Sequence, residues 1–281
     1  MEPTRITAAR TRAALALSLT LVLFWLSARA LASDRRPSNE AGVALLGTRV
    51  LVSNGMLRDP DASRVAAAMS AAYDRMRADE EDPRSPVVLG PAPFSPQTPE
   101  LLTYEPRTKG DVRGDLAVIF LHGYGGRFAL PCWQVARAAA QSSAVTACPD
   151  VGTDGAWWSA EGERIVRDTV VALQGAGAKR IVLMGLSNGG IGATRLSARM
   201  KGAFVGLVLL SGADPNVGAA GVPTLVMHGR RDAMVSQESS RIYATRAHAS
   251  FVDLPSGHFA MLLDAATVDP EIARFLRALH Q

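Results

Sequence analysis

A serine, an aspartate and a histidine stand at three places in this 281-residue chain where a short apolar run gives way to a glycine-containing turn. The run Arg180–Met184 leads into Gly185-Leu186-Ser187-Asn188-Gly189-Gly190, and a helical stretch, Ile191–Met200, follows at once. Gly-x-Ser-x-Gly between a strand and a helix makes a tight, strained turn that lifts the serine oxygen into the open. The helix that begins there directs its positive end at an oxyanion. The competing reading is a packing turn whose serine merely caps the helix. A serine hydroxyl is a weak nucleophile until a base takes its proton, and the base needs a carboxylate to orient it. Two further runs supply candidates: Thr224–Met227 ends in His228-Gly229-Arg230-Arg231-Asp232, and Ser250–Leu254 ends in Pro255-Ser256-Gly257-His258. The chain order Ser187, Asp232, His258 is the order expected of one particular fold.

The elements that would position these residues follow from alternation. From Asp115 onward the strand candidates Leu116–Leu121, Ala144–Cys148, Arg180–Met184, Phe204–Leu210, Thr224–Met227 and Ser250–Leu254 alternate with helical stretches. That pattern predicts an α/β fold: a doubly wound, mostly parallel sheet with helices on both faces, whose ligands bind beyond the carboxyl ends of the strands. Residues 115–281 are therefore the expected catalytic domain.

Residues 33–114 read as an N-terminal extension. Val65, Met69, Ala72, Tyr73 and Met76 fall at helical spacing, so an amphipathic helix is expected from Asp61 to about Glu80, capped by Asp61. Prolines at 83, 86, 91, 93, 96 and 99 make the next segment an extended surface connection, and Leu101–Tyr104 an edge strand. No chemistry is expected of this part.

Charge locates the first 32 residues. The formal net charge is +4, and Arg5, Arg10, Arg12 and Arg29 against Glu2 alone place three of those charges before residue 33. The rest is nearly neutral, which excludes a nucleic-acid-binding body. Those arginines flank the uncharged, leucine-rich stretch Ala13–Ala28, followed by Ala30-Leu31-Ala32, the pattern of a secretory signal peptide cleaved before Ser33. Kept uncleaved, the stretch would form a helix of roughly 24 Å, a short membrane anchor against a ~30 Å core. Export to the periplasm or beyond is expected, with membrane contact only through this segment if it is retained.

Four motifs in this order resemble the α/β-hydrolase superfamily: His122-Gly123-Tyr124-Gly125-Gly126, the turn around Ser187, His228-Gly-Arg-Arg-Asp232, and Gly257-His258. The resemblance implies Ser187 as nucleophile, His258 as general base and then acid, Asp232 as orienting acid, and an oxyanion hole from the backbone N–H groups of Tyr124 and Asn188. Asp214 is the alternative acid, because some members carry it after the preceding strand. The 11 residues from Gly212 to Val222 are too few for an inserted helical lid, so an open site taking small or extended esters or thioesters is expected. This resembles the lidless carboxylesterase/thioesterase and dienelactone-hydrolase groups. The Ser-Asn-Gly-Gly turn is also similar to exported polyhydroxybutyrate-depolymerase-like and feruloyl-esterase-like members. A prolyl-oligopeptidase-type peptidase and a non-catalytic binding protein of the same fold are the alternatives.

Among the five histidines, His122 and His228 sit in loop-forming pairs suited to structural hydrogen bonds, His248 lies in a helical stretch and His280 is almost terminal. No histidine pair has metal-ligand spacing, and neither a metal nor another cofactor is implied. Trp157 and Trp158, after the second strand, line the substrate pocket or pack against the body. Arg230 and Arg231 are expected as solvated loop charges. Cys132 and Cys148 fall on the same sheet edge, as a disulfide or as two buried thiols.

Overall fold

The computed structural model describes residues 40–58, 60–81, 87–89, 101–105 and 115–279. The leader lies outside them, as do the six prolines between 82 and 99. Among the described residues, no helix is long and apolar enough to cross a membrane.

The centre is an eight-stranded sheet in the order β1-β2-β4-β3-β5-β6-β7-β8. Strands β3 (Leu116–Leu121), β4 (Val145–Pro149), β5 (Arg180–Leu186), β6 (Gly206–Leu210), β7 (Thr224–Gly229) and β8 (Ser250–Leu254) run parallel. The outer pair, β1 (Val87–Leu89) and β2 (Leu101–Glu105), is antiparallel to its neighbours. Every residue of β3, β6 and β7 is buried. Burial on both faces is why these strands are continuous apolar runs rather than alternating ones.

Successive residues still point to opposite sides. Leu116, Val118 and Phe120 of β3 enter one core, and Ala117, Ile119 and Leu121 the other. The first core is covered by α2 (Asp61–Glu81), α3 (Ala129–Ala140), α7 (Ala260–Leu263) and α8 (Ala265–Ala278), with α1 (Glu40–Ser53) packed on its margin. The second is covered by α4 (Ala160–Gly175), α5 (Asn188–Arg199) and α6 (Gln237–Ala247). The sheet is thus doubly wound. Because β4 and β5 flank β3 on opposite sides, the chain reverses direction there, and the loops after β3 and β5 open a crevice at the carboxyl edge.

Three sequence expectations change. The segment from Leu101 is not the edge strand, because β1 pairs outside it in the register Val87↔Glu105. Helix α1 carries no motif and was not anticipated. Asp61 does not cap α2; its side chain turns inward to other partners described below.

The N-terminal helices are tied to the body by buried polar contacts. Phe128 precedes α3 and offers no side-chain cap. Glu40, from the start of α1, supplies the acceptors instead: the backbone N–H groups of Ala129 and Leu130 donate to its carboxylate at 2.8 and 3.1 Å, and Tyr73 Oη at 2.7 Å. A carboxylate at a helix N-terminus satisfies otherwise orphaned N–H groups and complements the helix dipole. Burial pushes the Glu40 carboxyl up, against the lowering effect of those bonds. Farther along α2, Asp79 accepts from Trp133 Nε1 at 3.1 Å and pairs with Arg137.

Cys132, in the first turn of α3, and Cys148, in β4, form a disulfide with Cα atoms 6.2 Å apart. It closes a 16-residue separation, for which chain entropy assigns roughly 3 kcal/mol. The Cys132→Ala/Cys148→Ala double variant should therefore unfold at clearly lower urea concentration than the oxidised wild type. Reductant should lower the wild-type midpoint and leave the variant unmoved; equal midpoints for the two proteins would show that the crosslink contributes nothing.

Candidate active site

Ser187 lies between the end of β5 and the start of α5 with φ 56° and ψ −119°, in a region L-residues rarely occupy. Such a conformation costs on the order of 1–3 kcal/mol and persists only where the surroundings enforce it. Here Ser187 N–H donates to Leu210 O at 2.8 Å, and Ile191 N–H to Ser187 O at 3.0 Å. Close packing explains the glycine at 189: a Cβ there would lie 2.0 Å from Leu121 O. The turn is thus wedged between the ends of β3 and β6.

The loop after β3 crosses directly over this turn. A Cβ on Gly123 would sit 3.0 Å from Ser187 Cβ and 3.1 Å from Leu186 O, so a glycine lets the two loops meet closely without either having to give way. His122 holds the loop: its Nδ1 donates to Gly123 O at 2.8 Å, and Nε2 lies 3.0 Å from Asp150 Oδ1. Burial would raise the Asp150 carboxyl, but His122 and the Gly152 N–H hold it below the usual carboxylate range.

Asp232 follows β7, and its side chain is fully buried. Its oxygens are divided: Oδ1 accepts the backbone N–H groups of Met234 and Val235 at 2.8 and 2.9 Å, and Oδ2 accepts His258 Nδ1 at 2.8 Å and His228 Nε2 at 3.1 Å. Burial alone would push this carboxyl up. Hydrogen bonds from His228 and His258, electrostatic attraction from His258 and the Val235 N–H outweigh it and hold the group far below the ordinary carboxylate range. His228 is itself fixed by Ser240 Oγ, 2.7 Å from Nδ1, so it serves the carboxylate structurally.

His258, after β8, lines one cavity with Ser187 and Tyr124. Its loop is anchored on both sides. Ser256 donates through N–H and Oγ to Asp264, at 3.1 and 2.8 Å, and Gly257 N–H donates to Asp61 Oδ2 at 2.6 Å. Asp61 also pairs with Arg231 at 2.8 Å, so that arginine is not the solvated loop charge expected of it.

The remaining candidates separate from this cluster. Asp214, the alternative acid, accepts from Arg195 at 2.6 Å and from Asn216 N–H, while His258 donates to Asp232. Neither tryptophan lines the cavity, which corrects the pocket expectation for both. Trp157 is fully buried in the opposite core and donates Nε1–H to His122 O at 2.9 Å, because the space beside Gly192 takes its ring under α5. Trp158, on the other side of the chain, lies under the Arg195 guanidinium at 5.3 Å.

The cavity has one wall that no motif announced. Its volume is about 280 Å³, and α1 and α2 contribute Val43, Ala44, Leu51, Met69 and Tyr73 opposite Leu186 and Phe259 of the catalytic edge. No lid is inserted after β6, yet the site is partly enclosed by N-terminal helices. The only sequence signal was the helical spacing around Met69 and Tyr73.

No protein-family model matches the sequence, and no curated protein is significantly similar to it. Solved structures share its architecture at low identity. The carboxylesterase CesB from Bacillus subtilis is 16% identical, with a TM-score of 0.52 over 74% of this chain and 96% of its own. An esterase of Pyrococcus furiosus is 15% identical, with a TM-score of 0.53 over 69% and 92%. The 2,6-dihydroxy-pseudo-oxynicotine hydrolase is 14% identical, with a TM-score of 0.54 over 84% and 79%. Sheet order, the strained serine turn after β5 and these similarities together identify the fold as that of the α/β-hydrolases.

Proposed function

We propose that the protein is a serine hydrolase that cleaves carboxylic esters or thioesters through an acyl-enzyme on Ser187. One observation carries this reading: Ser187 and His258 open into the same cavity while the buried Asp232 accepts the Nδ1–H of His258. With Nδ1 committed as donor, neutral His258 presents Nε2 as an acceptor, the tautomer a general base needs. His258 takes the Ser187 proton as Oγ attacks the carbonyl carbon, and the resulting imidazolium is stabilised by Asp232. Backbone N–H groups of Tyr124 and Asn188 receive the oxyanion, a role supported by the contact between Gly123 and the Ser187 turn. His258 then protonates the leaving oxygen or sulfur, and water, deprotonated by the same imidazole, releases the acid. The esterases among the structural neighbours support the bond type.

Export is part of the same proposal. The basic, leucine-rich leader motivates it, and the Cys132–Cys148 disulfide supports an oxidising compartment.

The test is covalent. A fluorophosphonate probe should label Ser187 stoichiometrically, and p-nitrophenyl esters should be turned over while unmodified peptides are not. A protein that neither labels nor turns over esters would be a binder instead.

A further inference from the structure

We propose that the substrate is an ester or thioester with one apolar arm of roughly ten carbons, seated between α1 and the body; this rests on the serine-hydrolase reading. Among the described residues, no Asp, Glu, Lys or Arg lines the cavity. Its polar side chains away from the catalytic edge are spent internally: Thr48 Oγ1 donates to Leu45 O, Tyr73 Oη to Glu40, and Gln134 Nε2 to Met261 O and Asp269. A charged or strongly hydrogen-bonding arm would be desolvated there without a partner, whereas an alkyl or aryl arm would not. Size sets the length. A 150 Å³ apolar cavity accepts benzene, so about 280 Å³ accommodates roughly ten carbons. The arm is the acyl chain or the alcohol, and two substrate series separate them.

kcat/KM should be measured for p-nitrophenyl esters from acetate to palmitate, and for acetates of alcohols of rising length. One series should peak near eight to twelve carbons, at least tenfold above its shortest member. Ala44→Leu, which adds bulk to the α1 wall, should move that peak to shorter chains, and Leu51→Ala should move it to longer ones. If esters are turned over but both series fall from the shortest member, or neither variant moves the peak, this inference alone is overturned. If no ester is turned over and Ser187 is not labelled, the hydrolase reading falls and this inference with it.

A separate observation concerns Asp61, and we infer that it is a positioning residue for the triad. Its nearly buried carboxylate, on the first turn of α2, holds Gly257 N–H, one residue before His258, and Arg231, one residue before Asp232. One side chain from the N-terminal extension therefore straps together the two loops whose side chains must keep the His258–Asp232 hydrogen bond. Asp61→Ala should lower kcat ten- to a hundredfold with KM changed less than twofold. Asp61→Asn, whose amide oxygen still accepts from Gly257, should recover much of that loss. Arg231→Gln removes only the half-exposed partner and should show a smaller decrease of the same kind. Wild-type kcat in Asp61→Ala, or losses in all variants that track the folded fraction and spare the kcat-against-KM split, would overturn the assignment. Failure of the wild type itself to label would instead strike the triad reading.

Discussion

Ser187→Ala lowers kcat/KM for p-nitrophenyl butyrate by about 10⁵-fold or more and abolishes fluorophosphonate labelling, while the folded protein remains as stable as the parent to within roughly 1 kcal/mol. The size follows from the role proposed for Oγ. Removing the nucleophile of a triad eliminates the acyl-enzyme route, and what survives is the contribution of substrate binding and oxyanion stabilisation to direct attack by water. The stability follows from local structure. Ser187 makes its turn through backbone N–H and C=O contacts to Leu210 and Ile191, and its hydroxyl caps no helix N–H. Alanine carries the same Cβ and the same strain at φ 56°, so no backbone contact is lost. Titration of burst product and intact-mass detection of the adduct check the first part, and urea denaturation the second. Retention of ester turnover in a variant free of wild-type enzyme would sink the assignment of Ser187.

The serine turn was legible because its geometry leaves no alternative residues. A strand that ends in a strained turn under a second loop admits only glycine where carbonyls approach within contact distance, and those glycines bracket the serine in the sequence. The parallel strands were legible for a different reason: burial on both faces makes them short apolar runs. Their boundaries shifted where that signal was locally weak. β5 continues through Gly185 to Leu186, past the point where glycine suggests an end, and β6 begins at Gly206 rather than Phe204. Of the cavity wall only the part from α2 was legible, through the spacing of Met69 and Tyr73. Helix α1 packs only on the margin of the core, through Ala41, Ala44 and Leu45, while Val43, Ala44 and Leu51 border the cavity, so no single apolar stripe marks it in the sequence. The contacts of Glu40 and Asp61 were not legible, because no helix is expected at Glu40 and Asp61 reads only as a helix cap. Only the fold brings the first to the start of α3 and the second to the loops before Asp232 and His258. Trp157 and Trp158 show the limit from the other side: adjacent residues diverge, and one entered the core beneath the serine turn while its neighbour met Arg195.

Asp232→Asn is the second large effect, a loss of about 10⁴-fold in kcat with KM little changed, and the hydrogen bonds around it decide the direction. Oδ1 accepts two backbone N–H groups, from Met234 and Val235, and an amide NH₂ cannot replace it there without facing two donors. The asparagine must therefore keep its oxygen toward the backbone and turn its NH₂ toward His258 and His228. A donor facing Nδ1 of His258 makes that nitrogen the acceptor and moves the proton to Nε2, the wrong tautomer for taking a proton from Ser187. A serine-protease triad given the same substitution loses about 10⁴ in kcat for this reason. The pH profile sharpens the test. Asp232 is held far below the ordinary carboxylate range, so it stays ionised across the working range. The stability it contributes is present above its unfolded value and is lost only as pH falls through its lower folded value. The acidic limb of wild-type kcat/KM consequently does not report this carboxylate. In Asp232→Asn, rate should be partly restored at high pH, where hydroxide substitutes for the disabled base, whereas Ser187→Ala should show no such recovery of labelling. An Asp232→Asn enzyme with wild-type kcat at neutral pH would mean that another group orients His258.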